Sequence, residues 1–180
     1  LAFVSEDRRG VGLLLDETLE WNVAFPAMHG EKTGVGSLLA VAEYKRLAKI
    51  GDIAPYVRDY APVPDEHFRS FFGERLAGAL IKENEHDCLA AVTKEALCEN
   101  WSGIREMIDA LPSVEYLYGL LEALGAKRTL ESIGVSDEQL PELLTNSPLI
   151  RNRLTLMRAR RMMDIERINK ESCMEGRQDK

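Results

Sequence analysis

The chain has 180 residues, of which 45% are hydrophobic and 29% are charged. This length and apolar content suit one soluble globular domain, and no apolar stretch approaches the roughly 20 residues of a membrane-spanning helix. A net charge of −7 disfavours nucleic acid as a partner, because phosphate backbones repel an acidic surface. We therefore expect a single cytoplasmic domain over residues 1–180 that binds neither nucleic acid nor membranes.

The three cysteines are odd in number and show no C-x-x-C spacing. This pattern indicates reduced thiols rather than a disulfide framework or a cysteine zinc site. The first residue is Leu1 and a charged run follows at residues 5–9. We therefore expect the sequence to be a fragment or a processed chain.

Helical periodicity dominates the sequence and predicts an all-α fold, an array of about seven to nine helices. Residues 11–24 form a candidate first helix, which Pro26 would stop. Residues 33–50 carry apolar positions at helical spacing, and Gly51 follows where a C-cap glycine belongs. This segment is predicted as the second helix.

The next predicted helix begins at Asp65, whose side chain can cap it, and runs toward a polar break at residues 84–87. Residues 87–99 and 102–111 continue the helical pattern in two shorter segments. The sequence contains no internal repeat and no long linker.

Turn chemistry predicts the remaining boundaries. Ser113 begins a helix that Gly125 ends, and Ser136 with Gln139 matches a capping box for a short helix after it. The last helix is predicted from about Arg153 to Asn169. The sequence contains no glycine-rich dinucleotide-binding motif that follows a strand.

Residues 25–36 are the most informative stretch, because a histidine, two charged residues and three glycines cluster there at a helix start. A glycine inside a helix costs about 1 kcal/mol relative to alanine. Gly30, Gly34 and Gly36 therefore call for a reason in packing or in the close approach of a ligand.

The motif His29-Gly30-Glu31 resembles the H-G-E motif of the iron-containing alcohol dehydrogenase and dehydroquinate synthase-like superfamily. Its continuation at residues 34–39 is most similar to the sn-glycerol-1-phosphate dehydrogenase family. Residues 113–155 contain a second match near the C-terminus, which ends in Ile150-Arg151-Asn152-Arg153-Leu154-Thr155. Together the two matches cover roughly residues 25–165, although the distinctive motifs are short.

The resemblance implies the helical C-terminal domain of such a dehydrogenase. Members bind NAD or NADP in a separate N-terminal α/β domain, which we expect to be absent from this chain. The function it implies is the metal- and substrate-binding half of an enzyme that reduces dihydroxyacetone phosphate to sn-glycerol 1-phosphate, or acts on a similar polyol phosphate. Such a half is expected to be inactive alone.

The resemblance also implies that His29 is a ligand of zinc, nickel or iron. In the family an aspartate and a second histidine complete the metal site. The second histidine is expected just before the H-G-E turn, but residues 11–20 contain none. Three acidic residues of that segment could replace it through oxygen, and the sequence does not choose among Asp16, Glu17 and Glu20.

Three basic side chains are candidates to bind the substrate phosphate, namely Lys32, Arg151 and Arg153. Residues 151–170 contain further arginines in excess over acidic residues. These are expected on a solvated helix face, paired with acidic surface elsewhere or with a neighbouring subunit.

Other notable residues are expected to be structural. His86 and Cys88 lie close together, but a structural zinc site normally needs four ligands at defined spacing. His67 is predicted to be a partly exposed packing residue. The aromatic cluster and the methionines are expected in the core, namely Phe68, Phe71, Phe72, Met157, Met162 and Met163.

Two alternatives stay open. One is a glycerol dehydrogenase or a dehydroquinate synthase-like enzyme, distinguished by whether phosphate improves substrate binding. The other is a non-catalytic helical interaction module that has lost the metal; the missing histidine favours it and the His29-Gly30-Glu31 motif opposes it. A homo-oligomer is compatible with either alternative, because exposed apolar helix faces favour association.

Overall fold

The computed structural model describes the backbone of residues 31–175 and the side chains of residues 33–171. Within these residues the chain forms eight α-helices of six residues or more, and the only strand-like pairing is one isolated bridge between Val57 and Met163. The all-α fold class is confirmed. The helices are α1 Glu31–Ala48, α2 Asp65–Phe72, α3 Glu74–Glu83, α4 Lys94–Glu99, α5 Trp101–Asp109, α6 Val114–Ala123, α7 Leu140–Asn146 and α8 Ile165–Glu175.

Short 3-10 turns connect several of these helices, and none of the described helices is both long and apolar enough to cross a membrane. The described residues divide into two compact units. Unit 1 contains residues 31–49 and 104–144, and unit 2 contains residues 50–103 together with the chain from residue 145 onward. The predicted helix over residues 11–24 lies outside the described residues.

Unit 1 is built on apolar packing between α1 and α6. Leu38 and Val41 on α1 pack against Leu117 and Leu121 on α6, and all four side chains are buried. These positions recur at helical spacing, as the sequence predicts for both segments. Each fully buried leucine contributes roughly 1.5–3 kcal/mol, so this contact is a main source of stability in unit 1.

The helix ends of unit 1 follow the predicted turn chemistry. The Ser113 side chain accepts a hydrogen bond from the Tyr116 N–H at 3.1 Å, and Gly125 adopts φ 65° just after α6. Both features are the expected N-cap and C-terminal glycine. The capping box of Ser136 and Gln139 is also present, so these three predictions are confirmed.

The prediction of one continuous helix from Asp65 toward residue 84 is wrong, because two helices form there. Gly73 adopts φ 75° and separates α2 from α3, because a residue in this conformation cannot continue a right-handed helix. Asp65 is not the N-cap either: Pro64 occupies that position and Asp65 lies in the first turn. There its carboxylate is favoured by the helix dipole.

The segment predicted as a helix over residues 87–99 is also divided. Residues Cys88–Ala91 form a 3-10 turn, and α4 starts after Thr93, whose hydroxyl accepts a hydrogen bond from the Ala96 N–H at 3.1 Å. Thr93 is an efficient N-cap, so it restarts the helix. The predicted helix over residues 102–111 is confirmed as α5.

The last predicted helix is interrupted as well. A single helical turn at Leu156–Ala159 leads into a 3-10 turn at Arg160–Met162, and Met163 is extended. The backbone of residues 56–58 holds this extended residue: the Arg58 N–H donates to the Met162 carbonyl at 2.7 Å. Helix α8 begins only at Ile165.

The core of unit 2 contains three of the six aromatic and methionine side chains expected there. Phe68, Met162 and Met163 are buried, whereas Phe71, Phe72 and Met157 are partly buried. Phe68 packs with Ala77 and Leu149 in one apolar cluster. Unit 2 therefore has an apolar core of its own, beside which a buried polar network lies.

Candidate functional site

The predicted metal ligand His29 lies outside the described residues, as do the three acidic alternatives Asp16, Glu17 and Glu20. Helix α1 begins at Glu31, directly after His29 and Gly30. The backbone of Lys32 lies in the first turn of α1 in unit 1, and its side chain is outside the described residues. Among the side chains that the structure describes, no group of three or more metal-binding residues is arranged around a common point.

The glycines of the motif differ in their surroundings. Gly34 is buried in unit 1, whereas Gly36 is exposed and a Cβ added there would meet no described atom within 4 Å. Packing among the described residues therefore does not require glycine at position 36. The expectation that a ligand approaches closely there stays a prediction.

The predicted phosphate-binding residues Arg151 and Arg153 lie together in unit 2, on one irregular segment. Arg151 follows the 3-10 turn Ser147–Ile150 with an extended backbone, and its side chain is exposed. The Arg153 N–H donates to the Arg151 carbonyl at 3.0 Å, which closes a tight turn. We call residues 150–155 the arginine turn. Leu154 within it is 62% exposed.

Arg158 is the most unusual residue near the arginine turn, because its long charged side chain is fully buried, with 0% exposure. Its guanidinium contacts the Asp87 carboxylate twice, with Nε and Nη2 at 3.0 and 2.9 Å from Oδ1. Nη2 also donates to the Asn84 side-chain oxygen. Charged groups are rarely buried unless they are paired and hydrogen bonded, and Arg158 satisfies both conditions.

The remaining nitrogen of Arg158 binds the backbone on either side of residue 150. Nη1 donates to the Pro148 carbonyl at 2.8 Å and to the Arg151 carbonyl at 2.9 Å. A planar guanidinium presents its donors in fixed directions. Arg158 therefore determines where the backbone of the arginine turn begins.

Asn152 fixes the same turn from a second direction. Its side-chain oxygen accepts from the Cys88 N–H at 2.9 Å, and its side-chain nitrogen donates to the His86 carbonyl at 2.7 Å. The Asn152 N–H donates to a Glu83 carboxylate oxygen at 3.0 Å. One asparagine thus joins the arginine turn to the segment that follows α3.

Arg161 completes the network around Asp87. Its Nη1 lies 2.6 Å from the second carboxylate oxygen, and its Nη2 donates to the Ala61 carbonyl at 3.0 Å. The guanidinium carbon is 5.8 Å from the centre of the Tyr60 ring, within the range of a cation–π contact. Burial, together with the negative charge of Asp87, raises the pKa of the Tyr60 hydroxyl.

The same contacts determine the protonation state of Asp87. Burial alone would raise its pKa, but hydrogen bonds from Arg158, Arg161 and the Leu89 N–H stabilise the anion more strongly and hold the pKa at about 2. The carboxylate is therefore ionised at neutral pH. A group with so low a pKa is unsuited to general acid or base chemistry near neutrality, so Asp87 has a structural role.

The expectation of a solvated helix face is wrong for three arginines of this region and holds for Arg167, which is exposed on α8 and pairs with Glu171 at 2.9 Å. Arg158 and Arg160 are buried and Arg161 is largely buried, and the chain around them is not one continuous helix. No sequence pattern indicates a role for Asp87 or Asn152. Their partners lie about seventy positions away along the chain, so no local spacing could indicate the pairing.

An open cleft of about 470 Å³ lies beside this network in unit 2. Among the described residues that line it, Val63, Phe68 and Ile81 form an apolar wall and Lys82 is the one lysine. Three carboxylates also line it, from Asp65, Glu85 and Asp87. Because the acidic groups outnumber the lysine, the cleft is a poor site for a phosphate.

The other candidate ligand residues have ordinary surroundings. The His67 ring nitrogen Nε2 lies 2.6 Å from the Asn146 side-chain oxygen, and the ring stacks on Phe71, as expected of a partly exposed packing residue. His86 is exposed. Burial raises the pKa of the Cys88 thiol, which disfavours the reactive thiolate.

No protein-family model, curated protein or solved structure matches the chain. The likeness to glycerol-1-phosphate dehydrogenases therefore stays a prediction that depends on the two short motif matches. Within the described residues, Arg151 is the predicted site residue with the clearest placement, because its side chain is exposed and its backbone is fixed.

Proposed function

We propose that this chain is the metal- and substrate-binding half of an NAD(P)-dependent dehydrogenase that acts on dihydroxyacetone phosphate or a similar small polyol phosphate. The observation that carries the proposal is the pair of separated motif matches, His29-Gly30-Glu31 and the segment that ends at residues 150–155. The all-α fold of the described residues is the class that the resemblance implies. The cofactor would be held by a separate domain.

The proposal gives distinct roles to residues of this chain. When bound through His29, a zinc, nickel or iron ion would act as a Lewis acid on the substrate carbonyl. Lys32, Arg151 and Arg153 are the candidates to hold the substrate phosphate, because lysine charges and guanidinium forks suit phosphate oxygens. A cytoplasmic location and a small-molecule substrate are parts of the same proposal.

A second candidate function is a non-catalytic helical interaction module. Large apolar side chains are exposed in each unit, for example Met107 in unit 1 and Leu154 in unit 2, at 64% and 62%. Where such groups form a contiguous patch, they favour contact with another protein or with a second copy of the chain, and this is the arrangement that the candidate requires. This candidate predicts no specific metal binding, so one experiment separates the two.

The experiment measures metal bound per chain by elemental analysis, after equilibration with zinc, nickel or iron and removal of excess metal. The chain contains three histidines, so His29→Ala can be matched with His86→Ala, which changes an exposed histidine of unit 2. We expect nearly one metal ion per wild-type chain and per His86→Ala chain, and almost none for His29→Ala.

Either of two results would contradict the dehydrogenase proposal. One is the absence of stoichiometric metal in the wild-type chain, which would favour the interaction module. The other is equal metal content in His29→Ala and the wild type, which would exclude His29 as the ligand.

A further inference from the structure

The starting point is the energetic cost of the buried Arg158 side chain. Replacing a buried ion pair with apolar residues of similar volume is often neutral or stabilising, so stability alone is a weak reason for such a pair. Arg158 nevertheless makes charge-assisted contacts to Asp87 and binds two backbone carbonyls at the start of the arginine turn. The main effect of these contacts is to fix the backbone of that turn.

A second anchor leads to the same conclusion. Asn152 lies inside the arginine turn and binds the backbone at His86 and Cys88, while its own N–H binds Glu83. The turn is therefore held both before and after Arg151. Irregular segments are commonly mobile unless such contacts order them.

Arg151 is the one exposed basic side chain of this fixed turn, beside the exposed apolar side chains of Ile150 and Leu154. The Arg151 side chain is exposed while its carbonyl is bound by Arg158. Binding to a backbone that is already held in place costs less conformational entropy than binding that must first order the backbone. A guanidinium offers two parallel N–H donors to phosphate oxygens. The neighbouring cleft, by contrast, is lined by three carboxylates.

We infer that the arginine turn is the phosphate-recognition element of the chain, in which Arg151 contacts the ligand and Arg158 and Asn152 are positioning residues. This inference rests on the proposed function, because it assigns a place to the phosphate of the polyol phosphate substrate. Arg158 and Asn152 act through the turn and do not contact the ligand.

The test follows the arginine Nε–H signals of the chain, labelled with ¹⁵N-arginine, in titrations with sn-glycerol 1-phosphate, inorganic phosphate and glycerol. We expect both phosphate ligands to shift the Arg151 signal, and glycerol to leave it unchanged. Arg151→Ala should weaken phosphate binding by about tenfold or more, since a hydrogen bond to a charged group contributes about 1.5–3 kcal/mol. Arg75→Ala, which removes another exposed arginine of unit 2, should leave the affinity unchanged.

The positioning roles are tested with Asn152→Ala and Arg158→Lys. Each should weaken phosphate binding by several-fold and reduce the shift of the Arg151 signal, although neither removes Arg151. The far-ultraviolet circular dichroism spectrum identifies any variant that has lost its fold. Asn152→Ala is the decisive variant, because its side chain is only partly buried and the Asp87–Arg158 pair remains.

Three results would overturn the inference: no phosphate binding by the wild-type chain, wild-type affinity in Arg151→Ala, or wild-type affinity in a folded Asn152→Ala. These outcomes are distinct from failure of the proposed function. A chain that binds metal through His29 but does not bind phosphate at Arg151 keeps the dehydrogenase proposal and loses only this inference.

Discussion

The two units of the molecule are stabilised by different means. Unit 1 depends on apolar side chains that α1 and α6 bury against each other, such as Leu38 and Leu121. Unit 2 has an apolar cluster around Phe68, but it also buries the ionised pair of Asp87 and Arg158. Helical periodicity indicates which faces of α1 and α6 pack in the first unit, whereas no local pattern indicates the Asp87–Arg158 pair of the second.

The two kinds of interaction also differ in their tolerance of change. Apolar packing is non-directional, so a core of this kind accepts many volume-conserving substitutions. A buried ion pair requires both partners in place, because the loss of one leaves an uncompensated charge in the interior.

The largest effect is expected for Asp87→Ala in unit 2. Removal of the carboxylate leaves the fully buried Arg158 charge without its counter-ion, and the loss in the free energy of unfolding should be about 3–5 kcal/mol. Urea unfolding followed by circular dichroism measures this loss. As a matched control, Asp109→Ala changes an exposed aspartate of unit 1, and its effect should stay within about 0.5 kcal/mol. Equal stability of the two variants would contradict the buried-pair account.

Leu121→Ala in unit 1 should cost about 2–5 kcal/mol, because it leaves a cavity where a fully buried leucine packs against α1. Leu124→Ala, at a 41% exposed position on the same segment, should cost clearly less. Thermal unfolding of both variants at pH 7 and at pH 4 measures the losses. A Leu121→Ala loss that disappears at pH 4 would show that apolar packing is not the main interaction in unit 1.

The pH dependence of stability provides the next test. The folded-state pKa of Asp87 is about 2, below its ordinary value of 3.8. Because the folded pKa is depressed, the contribution to stability is present above about pH 4 and is lost as the pH falls from about 4 to about 2. Its size is roughly 2 kcal/mol.

Asp87→Asn lacks this titration, so the stability difference between wild type and Asp87→Asn should shrink over the same pH window. Urea unfolding at several pH values between 5 and 2 measures the difference. A difference that stays constant down to pH 2 would contradict the ionised state assigned to Asp87. Other carboxyl groups titrate equally in both proteins and cancel in the comparison.

Much of the fold follows from the sequence, because its signals are local. The apolar periodicity of residues 33–50 predicts α1, and Ser113 with Gly125 correctly brackets α6. The apolar positions are recognised by their spacing of three or four residues, and the capping serine binds the backbone three residues away. Such interactions are visible in a sequence without knowledge of the tertiary structure.

The features that the sequence does not reveal depend on distant partners or on one backbone angle. Gly73 fits a continuous helical pattern, and only its φ of 75° shows that α2 ends there. Arg158 lies in a basic segment that resembles a solvated face, but its counter-ion Asp87 lies 71 residues earlier. The candidate metal ligand His29 lies outside the described residues, so that part of the site stays a prediction.

The smallest effects are expected for glycines inside helices of each unit. Gly119 on α6 and Gly78 on α3 are exposed, and an added Cβ at either position meets no described atom within 4 Å. Gly119→Ala and Gly78→Ala should each raise the free energy of unfolding by up to about 1 kcal/mol, because alanine has the higher helix propensity. Thermal unfolding measures the gain. Gly36→Ala in α1 should behave in the same way, and a loss of stability there would reveal a contact with the rest of the chain.

The most direct test of the central structural claim is the hydrogen exchange rate of the Arg158 Nε–H, measured by nuclear magnetic resonance on the chain labelled with ¹⁵N-arginine. The Nε–H donates to Asp87 inside unit 2, so it should exchange much more slowly than that of exposed Arg151, and Asp87→Ala should remove this protection. If instead the Arg158 Nε–H exchanges as fast as that of Arg151 in the wild-type chain, Arg158 is solvated and the fixed arginine turn loses its main support.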